Sequence, residues 1–259
     1  MTHEQLTEQH KATRIGQRRQ NNNGSWMTII EYNNARDLTV KFDTGYIATH
    51  KDYTSFKLGS IKDMLFPVVS DIGYLGIGNY TTSVNHQKTL SYKKWVDIIH
   101  RCYRNSLNTL AYQECTVCDE WKNYQNFAQW FEENYYEVPN ITMSIDKDII
   151  KKKNKIYCPE YCCFLPRNLN AIFERLNVCK RGKYPVGVSF SRVVKKFEAY
   201  THKNGKKIHL GFYHTPKEAF YVYKEYKESY IRDMADKYKQ WLPDKVYQAM
   251  YAYEIDIND

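Results

Sequence analysis

The sequence predicts an α+β fold in which strands and helices gather in separate stretches of the chain instead of alternating. Three observations carry this. Residues 15–65 hold short alternating strand segments broken by turn residues. Residues 91–134 carry aromatic side chains at three- and four-residue spacing. Residues 184–230 return to two-fold alternation before one long helical run. The 259 residues thus divide into a small β-rich, barrel-like domain over 1–75, an α+β domain with flanking helices over 85–180, and, over 181–259, a three-stranded sheet packed on a helix with a C-terminal extension.

Residues 1–23 are polar, helical or frayed, and end at the turn Asn21-Asn22-Asn23-Gly24. The strand segments Trp26–Tyr32 and Leu38–Phe42 follow, separated by Asn33-Asn34, and Tyr53, Phe56 and Gly59-Ser60-Ile61 extend the same pattern. A glycine-rich stretch from Gly73 to Gly78 is expected to be a linker. Tyr92, Trp95, Ile98, Ile99 and Tyr103 then share one helix face, and Trp121, Tyr124, Phe127, Trp130 and Phe131 share another. Stripes at that spacing predict packing.

In the last third, Val186–Ser191, Phe197–His202 and Lys207–Phe212 alternate as strands. Lys203-Asn204-Gly205-Lys206 joins the second and third, because Asn-Gly accepts the positive φ of a tight hairpin. Simple alternation puts Ile208, Leu210 and Phe212 on one side and Lys207 and His209 on the other. Thr215 and Pro216 suit a helix cap and first turn, ahead of a helix bearing Ala219, Tyr223, Tyr226 and Tyr230. Beyond Tyr230 the chain predicts a helical extension and an acidic tail, which either packs on the preceding sheet or mediates self-association.

With 42% hydrophobic and 26% charged residues the composition is neither disordered nor membranous. No run is long enough to span a bilayer, and Glu4 and Glu8 stand where a secretion signal would be apolar, so a cytoplasmic location is expected. The formal charge is +9, and residues 180–207 hold nine Lys or Arg against one acid, Glu198. That concentration suits a polyanion, through phosphate neutralisation, or a solvated basic face. The seven cysteines include the pair Cys115 and Cys118 and the cluster Cys158, Cys162 and Cys163. Their odd number argues against a disulfide framework; they are buried thiols or, in part, a Zn2+ site built on Cys115 and Cys118.

Two resemblances follow. The stretch YPVGVSF with KKFEAYTHKNGKKIHLGFYHTPKEAFYVY, residues 184–223, resembles the three-stranded DNA-binding domain of plant ethylene-response factors, a domain also found in phage and bacterial homing endonucleases. The matching positions are Gly187-Val188, Phe197, Ala199, Lys206-Lys207, Leu210-Gly211, Thr215, Glu218 and Ala219. The resemblance implies binding to double-stranded DNA, with outward strand residues touching bases and phosphates. By position these are Ser189, Arg192, Tyr200, His202, Lys207 and His209, with Lys195 and Lys196 as phosphate contacts. Ser189 and His202 replace arginines at two reading positions, and Gly211 is expected to let strand and helix approach closely.

The stretches YKKWVDIIHRCY (92–103), CTVCDEWKNYQNF (115–127) and Met143–Asn170 resemble phage-encoded proteins related to HNH homing endonucleases. The resemblance implies a hairpin-and-helix (ββα) unit around one divalent metal, and a bacterial host cell as the setting. Asp146 matches the acid before the family's general-base histidine, which is Lys147 here; Asn154 matches the central asparagine, and Asn168 and Asn170 stand near the last motif position. The implied catalytic set is Asp146, Lys147, Asp148, Asn154 and Asn170, with Mg2+ on Asp146 and Asp148. A lysine is a poor base unless burial depresses it. The expectation is therefore a DNA-binding protein that either retains metal-dependent cleavage or is an inactive interaction protein engaging DNA or a host protein.

Overall fold

A computed structural model of the chain describes residues 3–104, 112, 114–173, 183–203 and 205–258. The fold is mixed α+β. It divides into two compact units, Met1–Glu133 and Asn134–Asp259.

In the first unit, helix α1 (His3–Arg14) precedes strands β1 (Arg18–Gln20), β2 (Trp26–Asn34), β3 (Asp37–Phe42) and β4 (Ile47–Lys51), which form an antiparallel meander in the order β1-β2-β3-β4. The alternation seen in the sequence buries Met27, Ile29, Tyr32, Leu38, Val40, Phe42 and Ala48 on one face. The sheet is open, not barrel-like: four strands are too few to close around a filled interior, and β1 and β4 remain edges. Nor do residues 53–61 continue the strands. Asp52 accepts a hydrogen bond from the Ser55 amide and Gly59 ends the turn at φ 70°, so Tyr53–Leu58 is helix α2, which sets Phe56 against the sheet's apolar face. A cap at each end outweighs a short alternating pattern.

The Gly73–Gly78 stretch is not a free linker. A Cβ at Gly73 would come within 2.5 Å of Ile99 Cδ1, and one at Gly76 would collide with Asn123. The Tyr74 amide donates to Lys122 O and the Tyr124 amide to Tyr74 O. The glycines are there because backbone lies directly on helices. After the small hairpin β5 (Ser83–Val84) and β6 (Gln87–Lys88) come α3 (Leu90–Tyr103), β7 (Thr116–Val117), α4 (Asp119–Lys122) and α5 (Tyr124–Asn134). Trp95, Trp121, Tyr124 and Phe127 are fully buried there, and the Trp95 indole donates to Trp121 O at 2.7 Å.

The second unit opens with β8 (Met143–Asp146), β9 (Ile156–Tyr157), β10 (Cys163–Pro166) and α6 (Arg167–Phe173). β8 and β10 pair antiparallel, with Asp146 opposite Cys163, and α6 leaves directly from β10. A three-stranded antiparallel sheet, β11 (Val188–Ser191), β12 (Lys196–Lys203) and β13 (Lys206–Tyr213), precedes the long helix α7 (Pro216–Tyr238) and then α8 (Asp244–Tyr251). Thr215 and Glu218 close a reciprocal capping box at the start of α7. Val188 and Ala199 from the sheet meet Ala219, Phe220 and Tyr223 from the helix. Ile255 joins this core, its amide donating to Glu228 and its carbonyl accepting from Lys224, so the tail packs back on α7. No helix among the described residues is long and apolar enough to cross a membrane.

Candidate nucleic-acid interface and the central acidic turn

The register of the sheet decides which side chains share its outer face. Ser189 opposes Glu198, Tyr200 opposes His209, and His202 opposes Lys207. Directly paired residues project to the same side, so all six stand on one surface. Val188, Ala199 and Thr201 occupy the other side, and all three are buried.

Simple alternation fails at one place. Ala199 pairs with Gly211 but Tyr200 pairs with His209, leaving Leu210 as an extra residue in β13. The bulge reverses the sidedness of everything after it. Phe212 therefore falls opposite Glu198, on the outer face and 39% exposed, instead of with Ile208; its ring lies 4.6 Å from that of His209. Tyr213 takes the inner position opposite Phe197. Gly211 has φ 132°, and a Cβ there would meet the Tyr213 ring, so it serves the bulge and not contact with the helix. Close strand-to-helix approach occurs at Gly187, where any Cβ would overlap Tyr223 of α7.

Glu198, absent from the expected set of DNA-binding residues, is the centre of the outer face. Its Oε2 accepts from Lys207 Nζ at 2.7 Å and from Ser189 Oγ at 3.2 Å, while Oε1 lies 3.0 Å from His209 Nδ1. Its side chain is only 16% exposed, against 48% for Lys207 and 47% for His209. Burial pushes this carboxyl up, but the hydrogen bonds from Lys207 and His209 outweigh it and hold Glu198 below the usual glutamate range. The Lys207 ammonium also lies 4.4 Å from the Tyr200 ring centroid, and Tyr200 meets His202 edge-on. The only sequence signal for Glu198 was its being the single acid in a basic stretch.

The remaining positive charge lies at the two ends of the sheet. Arg192 and Lys195 are exposed in the β11–β12 turn, beside Val193 at 94% exposure, and Lys196 opens β12. Lys203 and Lys206 flank the β12–β13 turn. Asn204 of that turn lies outside the described residues, as do Lys180 and Arg181; Gly205 has the positive φ, 75°, that the hairpin requires.

The acidic turn after β8 is built differently. The strand ends at Asp146, so Asp146 and Asp148 do not share a strand face as i,i+2 spacing would have given. Asp146 Oδ1 accepts from the amides of Asp148 at 3.0 Å and Ile149 at 2.8 Å. Burial first, then the neighbouring Asp148, raise its pKa to about 6 despite those bonds. Lys147 is largely shielded from solvent: its side chain is 11% exposed, with Nζ 2.9 Å from both Asp148 Oδ2 and the Asn154 carbonyl. Buried Asn154 donates to the carbonyls of Lys147 and Ile156 and accepts from the Ile156 amide, tying the two ends of the loop. Asn168 donates to Tyr238 OH, and the Asn170 side-chain oxygen on α6 is buried without a hydrogen-bond partner.

The Asp146 and Asp148 side chains are already partnered within the turn. An ammonium already neutralises Asp148, and one oxygen of Asp146 is committed to backbone amides. Among the described residues no three His, Cys, Asp or Glu gather as metal ligands. Cys115 is buried and Cys118 half-buried at the start of α4, whereas burial holds the Cys162 and Cys163 thiols well above the ordinary range, against the thiolate form zinc requires.

Comparison with protein-family models, with curated proteins and with solved structures gives no match to this chain.

Proposed function

We propose that this chain binds double-stranded DNA through the outer face of the β11–β13 sheet. One observation carries the reading: hydrogen-bonding and aromatic side chains occupy the middle of that face, and Lys or Arg residues stand at both of its turns. From Lys196 to Lys203 the strand runs about 23 Å at ~3.3 Å per residue. The major groove is roughly 12 Å wide. A ribbon of that length spans the groove with Arg192, Lys195 and Lys196 at one rim, while Lys203 and Lys206 at the far end pair on the inner side, Lys203 over the Tyr230 ring of α7. Tyr200, His202, Lys207 and His209 then sit over base edges. The hairpin-and-helix unit of β8, β10 and α6 serves this reading as a scaffold on which the ribbon and α7 are carried.

Retained cleavage at Asp146, Lys147, Asp148, Asn154 and Asn170 with Mg2+ is a second reading. It is favoured by the raised pKa of Asp146, since strongly perturbed carboxyls gather at functional sites. A third reading, engagement of an acidic host protein by the same basic face, is favoured by the exposed Val193, Val194 and Phe212.

Binding of the full chain to a random-sequence duplex at several salt concentrations tests the first reading. Affinity should fall steeply with salt, and Lys195→Ala with Lys196→Ala should weaken all duplexes alike, lowering the salt slope by roughly one unit per lysine. Salt-independent affinity sinks it. Incubating supercoiled plasmid with Mg2+ or Mn2+ tests cleavage: nicking that disappears with Asp146→Ala plus Asp148→Ala supports the second reading, and nicking that survives the pair removes this site.

A further inference from the structure

The middle of the DNA-facing surface holds an acid where a polyanion is expected to dock. Glu198 cannot contribute to phosphate attraction; it offsets part of the charge of Lys207 and holds the ring of His209, the two side chains nearest the centre of the ribbon. On that reading phosphate contacts come from the β11–β12 turn, at Arg192, Lys195 and Lys196, and among the described residues the hydrogen bonds to Glu198 come from Lys207, His209 and Ser189 instead. The carboxylate's place is therefore over the bases and not over the backbone.

Its geometry is that of a set acceptor. Lys207, His209 and Ser189 hold both oxygens from three directions, so the group is fixed without a tertiary contact to the helix side. Three donors leave a carboxylate, with about four lone-pair sites, room for one more hydrogen bond. Among the described residues Oε1 carries the His209 contact alone, whereas Oε2 already carries two. In the major groove the bases that offer a donor are cytosine, through its 4-amino group, and adenine, through its 6-amino group; glutamate is suited to the cytosine amine. Beside it, Lys207 and His209 present donors, which suit the O6 and N7 acceptors of guanine. An acceptor flanked by donors is the complement of a G·C pair, or of neighbouring G·C pairs, seen from the major groove.

Resting on the DNA-binding reading above, we infer that Glu198 is a specificity-determining residue that accepts a hydrogen bond from the 4-amino group of cytosine, making the ribbon selective for a G·C pair at the centre of its site. A thymine at the same position presents a carbonyl oxygen to the carboxylate, two acceptors facing each other, and is rejected.

The test is selection of the full chain on a duplex pool with a randomised six-base-pair core, followed by binding to single duplexes, with Glu198→Gln and Glu198→Asp in parallel and circular dichroism to establish that each variant is folded. The wild-type chain should select cytosine at one position and prefer it to thymine by roughly ten-fold, as one good base contact provides. Glu198→Gln, whose amide can donate to thymine O4, should abolish or reverse that preference while leaving preferences elsewhere in place. Glu198→Asp keeps the charge but shortens the reach, and should also lose it. If the wild-type chain binds the pool but selects no cytosine, or if both variants shift affinity for every duplex by the same factor, the inference is overturned and Glu198 only positions Lys207 and His209; DNA binding itself then stands. Failure of the wild-type chain to bind any duplex in a salt-dependent way overturns the binding reading, and this inference with it.

Discussion

In the turn after β8, Asp146 and Asn154 bond to main-chain groups of their own loop, whereas on the ribbon Glu198, Lys207, His209 and Ser189 bond to one another. Both regions are rich in charge within a few residues of sequence. The turn uses that charge to fix a backbone path, with Asn154 and Lys147 almost wholly enclosed. On the ribbon nothing in the backbone depends on the cluster, since the strand ladder is complete without it. Charge that shapes a loop and charge that is displayed for a partner respond differently to substitution.

The largest effect is expected at Asn154. Replacing it with alanine leaves two carbonyls and an amide of the loop without partners, at about 1–3 kcal/mol for each one that stays buried. We expect Asn154→Ala to lower the unfolding free energy by about 3 kcal/mol in a urea titration, while the fraction that remains folded binds DNA as before. A stable Asn154→Ala protein would break the contrast from the side of the turn.

Asp146 gives an intermediate effect with a pH signature. Its native pKa of about 6 lies above the ordinary value of 3.8, so the folded chain holds a proton that the unfolded chain releases. Stability from this group is therefore intact at low pH and declines as pH rises from about 4 to about 6, after which the loss is constant. Asp146→Asn keeps an acceptor oxygen for the Asp148 and Ile149 amides and cannot ionise. It should match the wild type near pH 4 and exceed it at pH 7 by on the order of 2–3 kcal/mol. Equal stability at pH 7 would show that the carboxylate is compensated in solution, and a bound cation would be one way to achieve that.

The smallest effect on stability is expected at Val193, which is almost fully exposed at the tip of the β11–β12 turn. Val193→Ser should leave the unfolding midpoint within about 0.5 kcal/mol of the wild type. A reduced affinity for DNA with unchanged stability would place the tip against the duplex and sharpen the ribbon's half of the comparison.

What was legible in the sequence follows from which interactions are local. The Thr215 cap of α7, the Gly205 turn and the helical aromatic stripes depend on residues one to four apart, and each was visible. The alternation of β2, β3, β11 and β12 was visible for the same reason. Helix α2 was hidden because a six-residue segment with Tyr53 and Phe56 can be read either way, and its caps at Asp52 and Gly59 lie outside the pattern. The open N-terminal sheet and the packed Gly73–Gly78 stretch depend on contacts made far along the chain, such as Gly76 with Asn123. The Glu198 cluster joins residues nine and eleven positions apart across strands, and its existence rests on a register that composition does not disclose.

The extra residue at Leu210 absorbs one residue of chain length without changing which side chains the ribbon displays. Loss of that single residue would let β13 pair with β12 without interruption, with Phe212 still opposite Glu198 and Tyr213 still opposite Phe197. The phenylalanine would keep its place beside His209, and what would change is the bend and twist that a bulge gives to its strand. One deletion would thus alter the curvature of the ribbon and not its chemistry, so related chains that differ by one residue here would present the same groups along a differently shaped edge.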